Sequence, residues 1–457
     1  MTASTLSPQE RNRLRQAHPE VFNRSIAQRW GGLLLIAGAL VYLAYCWSFF
    51  DVGSKLANGK WERASIYMAD WISWEAQPRF RFQDDGSTRI EFQRFSPLGD
   101  NPDPDWLVTQ PDGSHDVSFG SDRDHIDIAS TGVTAIVNGV AYDIVFDGEA
   151  ALLPANAPPQ MSERNGRVTV EYGFAGSAEI RATQVLVRRR FLGWENFFFD
   201  PQSPFWGMGP GELWTSLTSG ERFDPDQTNL SLAWTEFLTN AEWQHGDVLN
   251  KLIQTIVMAF VGTLFAAALA FPLAFIAARN VTNSRPANWI TKRFFDFTRS
   301  VDMLIWALVF TRGFGPGPLA GIAAIFVTDT GTFGKLFSET IENIDDKQRE
   351  GIRSVGASPA EVNRFGIMPQ VAPVIISQTL YFWEANIRGA TIIGAVGAGG
   401  IGLKLLEAMR TNQDWENVAY MVVLILIVVF AFDSLSARIR RRLIAGSEHA
   451  AHTPRPV

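Results

Sequence analysis

Apolar runs dominate the chain from Leu252 almost to its C-terminus, and one earlier run, Gly31 to Phe50, carries no charge over 20 residues. A helix of that length crosses a hydrocarbon core of roughly 30 Å. In lipid every backbone polar group must be satisfied within the segment, so the runs are read as helices. They fall at Gly31–Phe50, Leu252–Ala278, Ser300–Phe310, Leu319–Phe337, Gln370–Val396 and Val418–Phe432, six in all. The first is expected to be an anchor rather than a signal peptide. About 30 mostly polar residues precede it, and no A-x-A-like cleavage site follows. Cys46 lies inside it and reads as a small apolar filler.

A mean hydropathy of +0.01 hides two unlike regions. Between Asp51 and Asp247 there are 30 acidic against 15 basic residues, a net of −15, while the whole chain carries −7. The remainder is therefore basic as well as apolar. A single cysteine excludes an internal disulfide, so the acidic region must be held by its own core. Orientation follows from basic residues in short loops. Arg11, Arg13, Arg15, Arg24 and Arg29 precede the first run, Arg279, Arg285, Lys292, Arg293 and Arg299 separate the second and third, and Arg438, Arg440, Arg441 and Arg442 follow the sixth. Six crossings put all three clusters, and both termini, on the cytoplasmic side. The expected fold is an α-helical integral membrane protein of about six transmembrane helices, with a β-rich extracytoplasmic domain between the first and second. Its parts are a cytoplasmic N-terminal segment (1–30), the first helix (31–50), the inserted domain (51–247), a five-helix membrane domain (248–442) with a cytoplasmic loop at 344–369, and a tail (443–457).

Within the inserted domain, Trp61, Ala64, Met68, Trp71 and Ile72 predict one helix over 61–74. Strands are expected at Thr88–Phe95, Gly132–Phe146, Arg167–Tyr172 and Glu179–Val187. Turn signals separate them at Asp85-Gly86, Asp112-Gly113, Asn138-Gly139, Asp147-Gly148 and Asn165-Gly166. The aromatic stretch Phe191 to Trp214 reads either as a loop packed into the domain core or as a belt at the outer membrane surface.

Between the fourth and fifth runs, residues 339–370 are too polar for a bilayer and too regular for a loop. Asp345 or Asp346 can cap a short helix through Arg353, with Gly356 as terminator. Ser358, Pro359 and Glu361 then form a capping box that starts a second short helix, and Pro369 can open the fifth run. The result is a polar elbow bent at Gly356, a rigid knob for a cytoplasmic partner.

These residues resemble the coupling loop of ABC importer permeases: Glu350, then Gly356-Ala357 six positions on, then a closing Pro369. Gly351, Ile352 and Gly366 depart from the pattern, which usually has Ala at the first two positions and Ile at the third. Further blocks, Arg299 to Ala307 with Trp306, Gly331 to Leu336, Ile341 to Asp345, Arg388 to Gly402 and Gly193 to Asp200, are similar to the phosphonate importer permeases. The resemblance implies a transport subunit of the bacterial inner membrane with no enzymatic activity of its own. It implies partner ATPase subunits that hold ATP and Mg, an extracytoplasmic solute-binding protein, and a second permease subunit, identical or paralogous. The implied cargo is a small phosphorus oxyanion, a phosphonate or else phosphite or phosphate. No cofactor is expected on this chain, and no nucleic acid.

Charges within apolar runs cost on the order of 3 kcal/mol at the bilayer centre and so carry information. Glu384 and Arg388 stand one turn apart. They read either as an ion pair fixing helix packing or as a carboxylate holding a guanidinium toward a passing phosphonate. Asp302 is expected to pair with Arg299. Arg312, at the end of the third run, either steers anions or caps the helix. Gly394, Gly397, Gly399, Gly400 and Gly402 contain a G-x-G-x-x-G match. It follows an apolar run rather than a soluble strand, so it is read as a turn allowing close approach or gating and not as a nucleotide site. The chain has no G-x-x-x-x-G-K-[ST] run and no Cys/His cluster at metal-ligand spacing. A receptor would need a cytoplasmic output domain beyond short basic ends, and a proton-coupled transporter would favour several intramembrane acids.

Overall fold

The computed structural model describes the backbone of residues 26–59 and 68–452, except 84, 94–97, 100–101, 149 and 412–414, together with positions 13, 17 and 61. The chain divides into two compact units, Met1–Tyr67 and Met68–Val457. In the first, α1 (Ile26–Phe49) is apolar on all sides, and its side chains from Trp30 onward are almost all exposed, which suits a lipid-facing helix. A short helix, α2 (Val52–Ala57), follows.

Among its described residues the second unit begins with thirteen strands. Strands β1 (Ser73–Ala76), β2 (Arg79–Phe82) and β3 (Thr88–Glu91) join β10 (Met161–Arg164), β11 (Arg167–Glu171), β12 (Gly176–Arg181) and β13 (Gln184–Leu192) in one antiparallel sheet. Its order is β10-β11-β12-β13-β2-β3, with β1 also paired to β13. The other sheet runs in chain order through β4 (Leu107–Thr109), β5 (His115–Ser121), β6 (Asp124–Ala129), β7 (Gly132–Val137), β8 (Val140–Asp147) and β9 (Ala150–Leu152). Alternate residues of both, including Phe80, Val117, Ile126, Ile128, Val168, Ile180 and Val185, share one fully buried core. Phe119 and Tyr172 stack across it at 4.0 Å, and the Tyr172 hydroxyl donates to the His125 carbonyl.

All five turn signals sit at hairpins; at Asn138-Gly139 both residues have positive φ, which the tight β7–β8 link requires. Three expectations are corrected. The run Gly132–Phe146 is two strands, β7 and β8, turning at its own Asn138-Gly139. The run Glu179–Val187 is not one strand but the end of β12 and the start of β13, turning at Ala182-Thr183. The helix expected over 61–74 has its middle, 62–67, outside the described residues. Its end is strand: a 3₁₀ turn at Asp70–Ile72 leads into β1, where Trp74 is buried and stacks on Phe191 at 4.5 Å. Burial against β13 overrides the helical period.

After the sandwich come α3 (Pro210–Thr218) and α4 (Asn229–Thr239), then a helical bundle. Its members are α5 (His245–Ala277), α6 (Arg285–Ser300), α7 (Met303–Phe314), α8 (Pro318–Glu342), α9 (Asp346–Ser354), α10 (Pro359–Ala398), α11 (Gly400–Thr411) and α12 (Trp415–His452). Among the described residues, four helices are long and apolar enough to cross a membrane: Trp30–Phe49, His245–Ala277, Pro359–Ala398 and Trp415–Arg442. The third expected run is α7, whose 12 residues reach only about 18 Å. The fourth is α8, long enough but bearing Asp329 and Lys335 in its interior.

The aromatic stretch after β13 fits neither reading in full. Trp194 and Phe197 pack on Trp243, His245 and Tyr420, clamping the start of α5 against α12. Buried His245 hydrogen-bonds through one ring nitrogen with the Tyr420 hydroxyl at 2.8 Å and through the other with the Phe197 carbonyl at 2.6 Å.

Candidate functional site

The elbow is built as its residue types demand. Asp345 caps α9 by accepting from the Lys347 amide at 3.0 Å. The chain then turns at Gly356, whose φ of 86° lies in the left-handed region that side chains disfavour. Ser358 opens α10 with a reciprocal capping box: its amide donates to Glu361 at 2.7 Å, and the Glu361 amide donates back to its hydroxyl.

The expected second short helix does not end. From Pro359 the helix continues through a π-helical segment at Val362–Ile367 and on to Ile393, before the kink at Gly397, so Pro369 lies within it rather than opening a new element. The π segment absorbs the register change that a proline in the first turns imposes. Two tethers seat α9 on the bundle. Arg349 donates to the Asn280 carbonyl at 2.8 Å, and the Asp345 amide donates to Gln370 at 3.1 Å. Two of the departures from the coupling-loop pattern, Ile352 and Gly366, explain each other; nothing in the structure explains Gly351. Gly366 lies under α9, where a Cβ would meet the Arg349 Cα at 3.4 Å and the Ile352 Cδ1 at 3.5 Å. Bulk missing at 366 is supplied by Ile352. Glu350, Gly356, Ser358, Pro359 and Pro369 face outward, Ala357 is half-buried, and Val355 (83% exposed) and Phe365 (58%) add an apolar surface to the knob.

Glu384 is buried on α10, forms an ion pair with Arg388 at 3.6 Å and accepts from Arg440 of α12 at 3.5 Å. Arg440, read from the sequence only as part of a basic cluster, is thus a second partner that the i, i+4 spacing could not reveal. With two arginines on one carboxylate, the half-exposed Arg388 keeps donor capacity to spare. Asp302 does not pair with Arg299. It caps α7, accepting from the Leu304 amide at 2.8 Å, while Arg299 reaches Asp296. Trp306 stacks on Phe310, and Arg312 lies exposed in the last turn of α7.

The glycine segment is not an open turn. At its centre Gly400 has φ +70°, and a Cβ there would lie 2.3 Å from the Thr255 hydroxyl of α5. That hydroxyl in turn accepts from the Ile401 amide at 2.9 Å, and the Gly317 amide donates to the Gly397 carbonyl. Gly394, Gly397, Gly399, Gly400 and Gly402 therefore form a buried reverse turn wedged among α5, α7 and α8.

One polar group was missed although its signal was present. Asp329, an acid inside an apolar run, is buried and accepts from the Asn386 amide, which also donates to Thr263 at 2.8 Å. This network ties α5, α8 and α10 together at the level of Glu384 and Arg388.

Comparison with known proteins bears on this arrangement. The family described as binding-protein-dependent transport system inner membrane component matches residues 270–445, which excludes the sandwich. The putative phosphite transport system permease protein HtxC of Stutzerimonas stutzeri is 32% identical over 51% of this chain and 77% of its own length. The phosphate-import permease protein PhnE of Mycolicibacterium smegmatis is 34% identical over 43% of this chain and 37% of its own length. The putative cryptic phosphonate transport system permease protein PhnE2 of Escherichia coli is 46% identical over 26% of this chain and 98% of its own length.

Proposed function

The chain belongs to the binding-protein-dependent transport system inner membrane components, and from that premise we propose that it is the permease subunit of an ATP-driven importer of phosphonates, with phosphite or phosphate as the alternative cargo. The relatives' names share one chemistry, a tetrahedral phosphorus oxyanion. What carries the mechanical part is the continuity of the elbow with α10. A push on the Glu350–Pro369 knob is transmitted along one helix to Glu384, Asn386, Arg388 and the glycine turn.

ATPase subunits, which hold ATP and Mg, grip Glu350, Val355 and the Ser358–Glu361 cap. Closure of the ATPase pair shifts the bundle between inward- and outward-open states, and the shift is limited by the difference in affinity of ATP for the two. A second permease subunit, identical or paralogous, completes the pathway. Arg388, held by Glu384, offers donors to the anion, with Trp306 and Arg312 along its route. The glycine turn is the moving element of the gate, because small residues allow the helices around it to slide. The β-sandwich lies outside the membrane and contacts a solute-binding protein or shields the outer mouth. Its acidity argues against direct contact with an anion. Both termini and the elbow are cytoplasmic.

The test is uptake of labelled methylphosphonate by the chain reconstituted with its ATPase and binding protein, competed with phosphite and phosphate. Gly356→Val should cut uptake at least tenfold while the protein still inserts, because a β-branched residue resists the left-handed turn. Arg388→Ala should lower uptake more than it lowers stability. Normal uptake by the Gly356 variant would remove the elbow from the mechanism.

A further inference from the structure

A second cationic centre lies away from Arg388, at the contact of α6 and α8. The Asp296 carboxylate is met by three cations: Arg293 at 3.1 Å on one oxygen, and Arg299 at 3.2 Å and Lys335 at 3.9 Å on the other. We propose that Arg293, Arg299 and Lys335 form a binding site for a phosphate-type oxyanion, and that the Asp296 carboxylate occupies it in the present state as an internal stand-in.

Four observations carry this. The first is stoichiometry: three cations share one acid, a local net of +2, whereas the neighbouring Lys292–Glu342 contact at 2.8 Å is one to one. A network that only fastened two helices would need no surplus. Next, the helices are already fastened beside it. Phe295 is buried on Gly334, where a Cβ would fall 2.2 Å from its ring, and Thr298 sits on Gly331. Third, the cations are reachable, with side-chain exposures of 62%, 42% and 40%. Partly solvated pairs of this kind add little to stability, so one carboxylate is readily exchanged for another anion. Last, two guanidinium forks and an ammonium match the several acceptor oxygens of a phosphate, phosphonate or phosphite group. A bias of basic residues toward the cytoplasmic side accounts for how many arginines α6 carries. It does not account for their convergence on one carboxylate, nor for the lysine brought from another helix.

The same chemistry is offered by a free oxyanion and by a phospholipid headgroup. The identity of a free anion as cargo rests on the permease reading above; the existence of the site does not. The full chain in phosphatidylcholine nanodiscs is titrated with radiolabelled inorganic phosphate, and phosphatidylglycerol retained per chain is counted by native mass spectrometry. D296N should bind phosphate about tenfold more tightly than the native chain, and R293Q with R299Q added should return it to background. A rise in retained phosphatidylglycerol with unchanged phosphate binding assigns the site to a headgroup. If D296N alters neither, or if the gain survives loss of both arginines, the site is overturned. Should D296N fail to insert, R293Q and K335Q in the native background must each weaken anion binding several-fold, and no change in either is equally fatal. Uptake is read separately. Normal methylphosphonate uptake by a variant that has lost phosphate binding leaves the site and the permease standing and removes only the site's part in transport. Absence of any phosphorus uptake by the native chain removes the permease reading and leaves the site.

Discussion

In the sandwich, Val117, Phe119, Ile126 and Ile128 fill the space between two sheets, while along α5 of the bundle the buried stripe is Gly262, Ala266, Ala270 and Ala274. The sandwich residues alternate, and what drives them inward is the removal of large apolar surface from water, at about 25 cal/mol per Å². The bundle residues recur every fourth position along α5, a stripe so small that α8 lies directly against it. A Cβ on Gly262 would come within 2.8 Å of Ile325. Apolar side chains are no better off against each other than against lipid tails, so shape at short range takes over from surface area. On its other face α5 leaves large residues, Ile253, Val257, Phe260 and Leu264, on the outside.

The contrast can be broken or sharpened by experiment. Gly262→Leu should have the largest effect, about 3 kcal/mol or more, because the side chain must enter α8. Inserted, monodisperse protein should be nearly lost; full recovery would mean that the bundle is as adaptable as a lipid-like core. Ile128→Ala should cost about 2–4 kcal/mol by opening a cavity in the sandwich. Urea unfolding followed by near-ultraviolet circular dichroism should register it while the bundle stays inserted, and loss of both together would show one cooperative unit. The smallest effect is titration. Burial holds the His115 imidazole below its ordinary pKa of about 6.5, so the native sandwich resists protonation that the unfolded chain accepts. Its stability is whole above that value and declines as pH falls beneath it. His115→Gln should flatten the decline, and an unchanged slope would place its origin elsewhere.

Legibility followed the range of the forces. Each of the five Gly-containing turns was readable, because the backbone torsion a glycine permits is a local property. The β12–β13 turn at Ala182-Thr183 was not, since neither residue advertises it and only the pairing of Gln184 with Arg181 closes the hairpin. The capping box at Ser358 and Glu361 was readable, but the merging of its helix with the following span was not. Ending a helix at Pro369 is the local expectation, and the π segment that avoids it is decided by packing over α9. Asp302 shows the opposite error: a cap two residues away outcompeted an ion pair three residues away. Asp329 was legible as an acid in an apolar run and was passed over.

The sequence alone determined which stretches must leave water, where the backbone must reverse, and that a polar elbow interrupts the membrane domain. Each follows from side-chain transfer free energy or from torsional freedom within a few residues. Only tertiary structure decided which charges meet. Arg440 reaches Glu384 across 56 positions, Asn386 reaches Asp329 across 57, and Lys335 joins Arg293 and Arg299 around Asp296. Coulomb and hydrogen-bond contacts act over a few ångströms in space and carry no mark of sequence distance, so those partnerships emerge only once helices are packed.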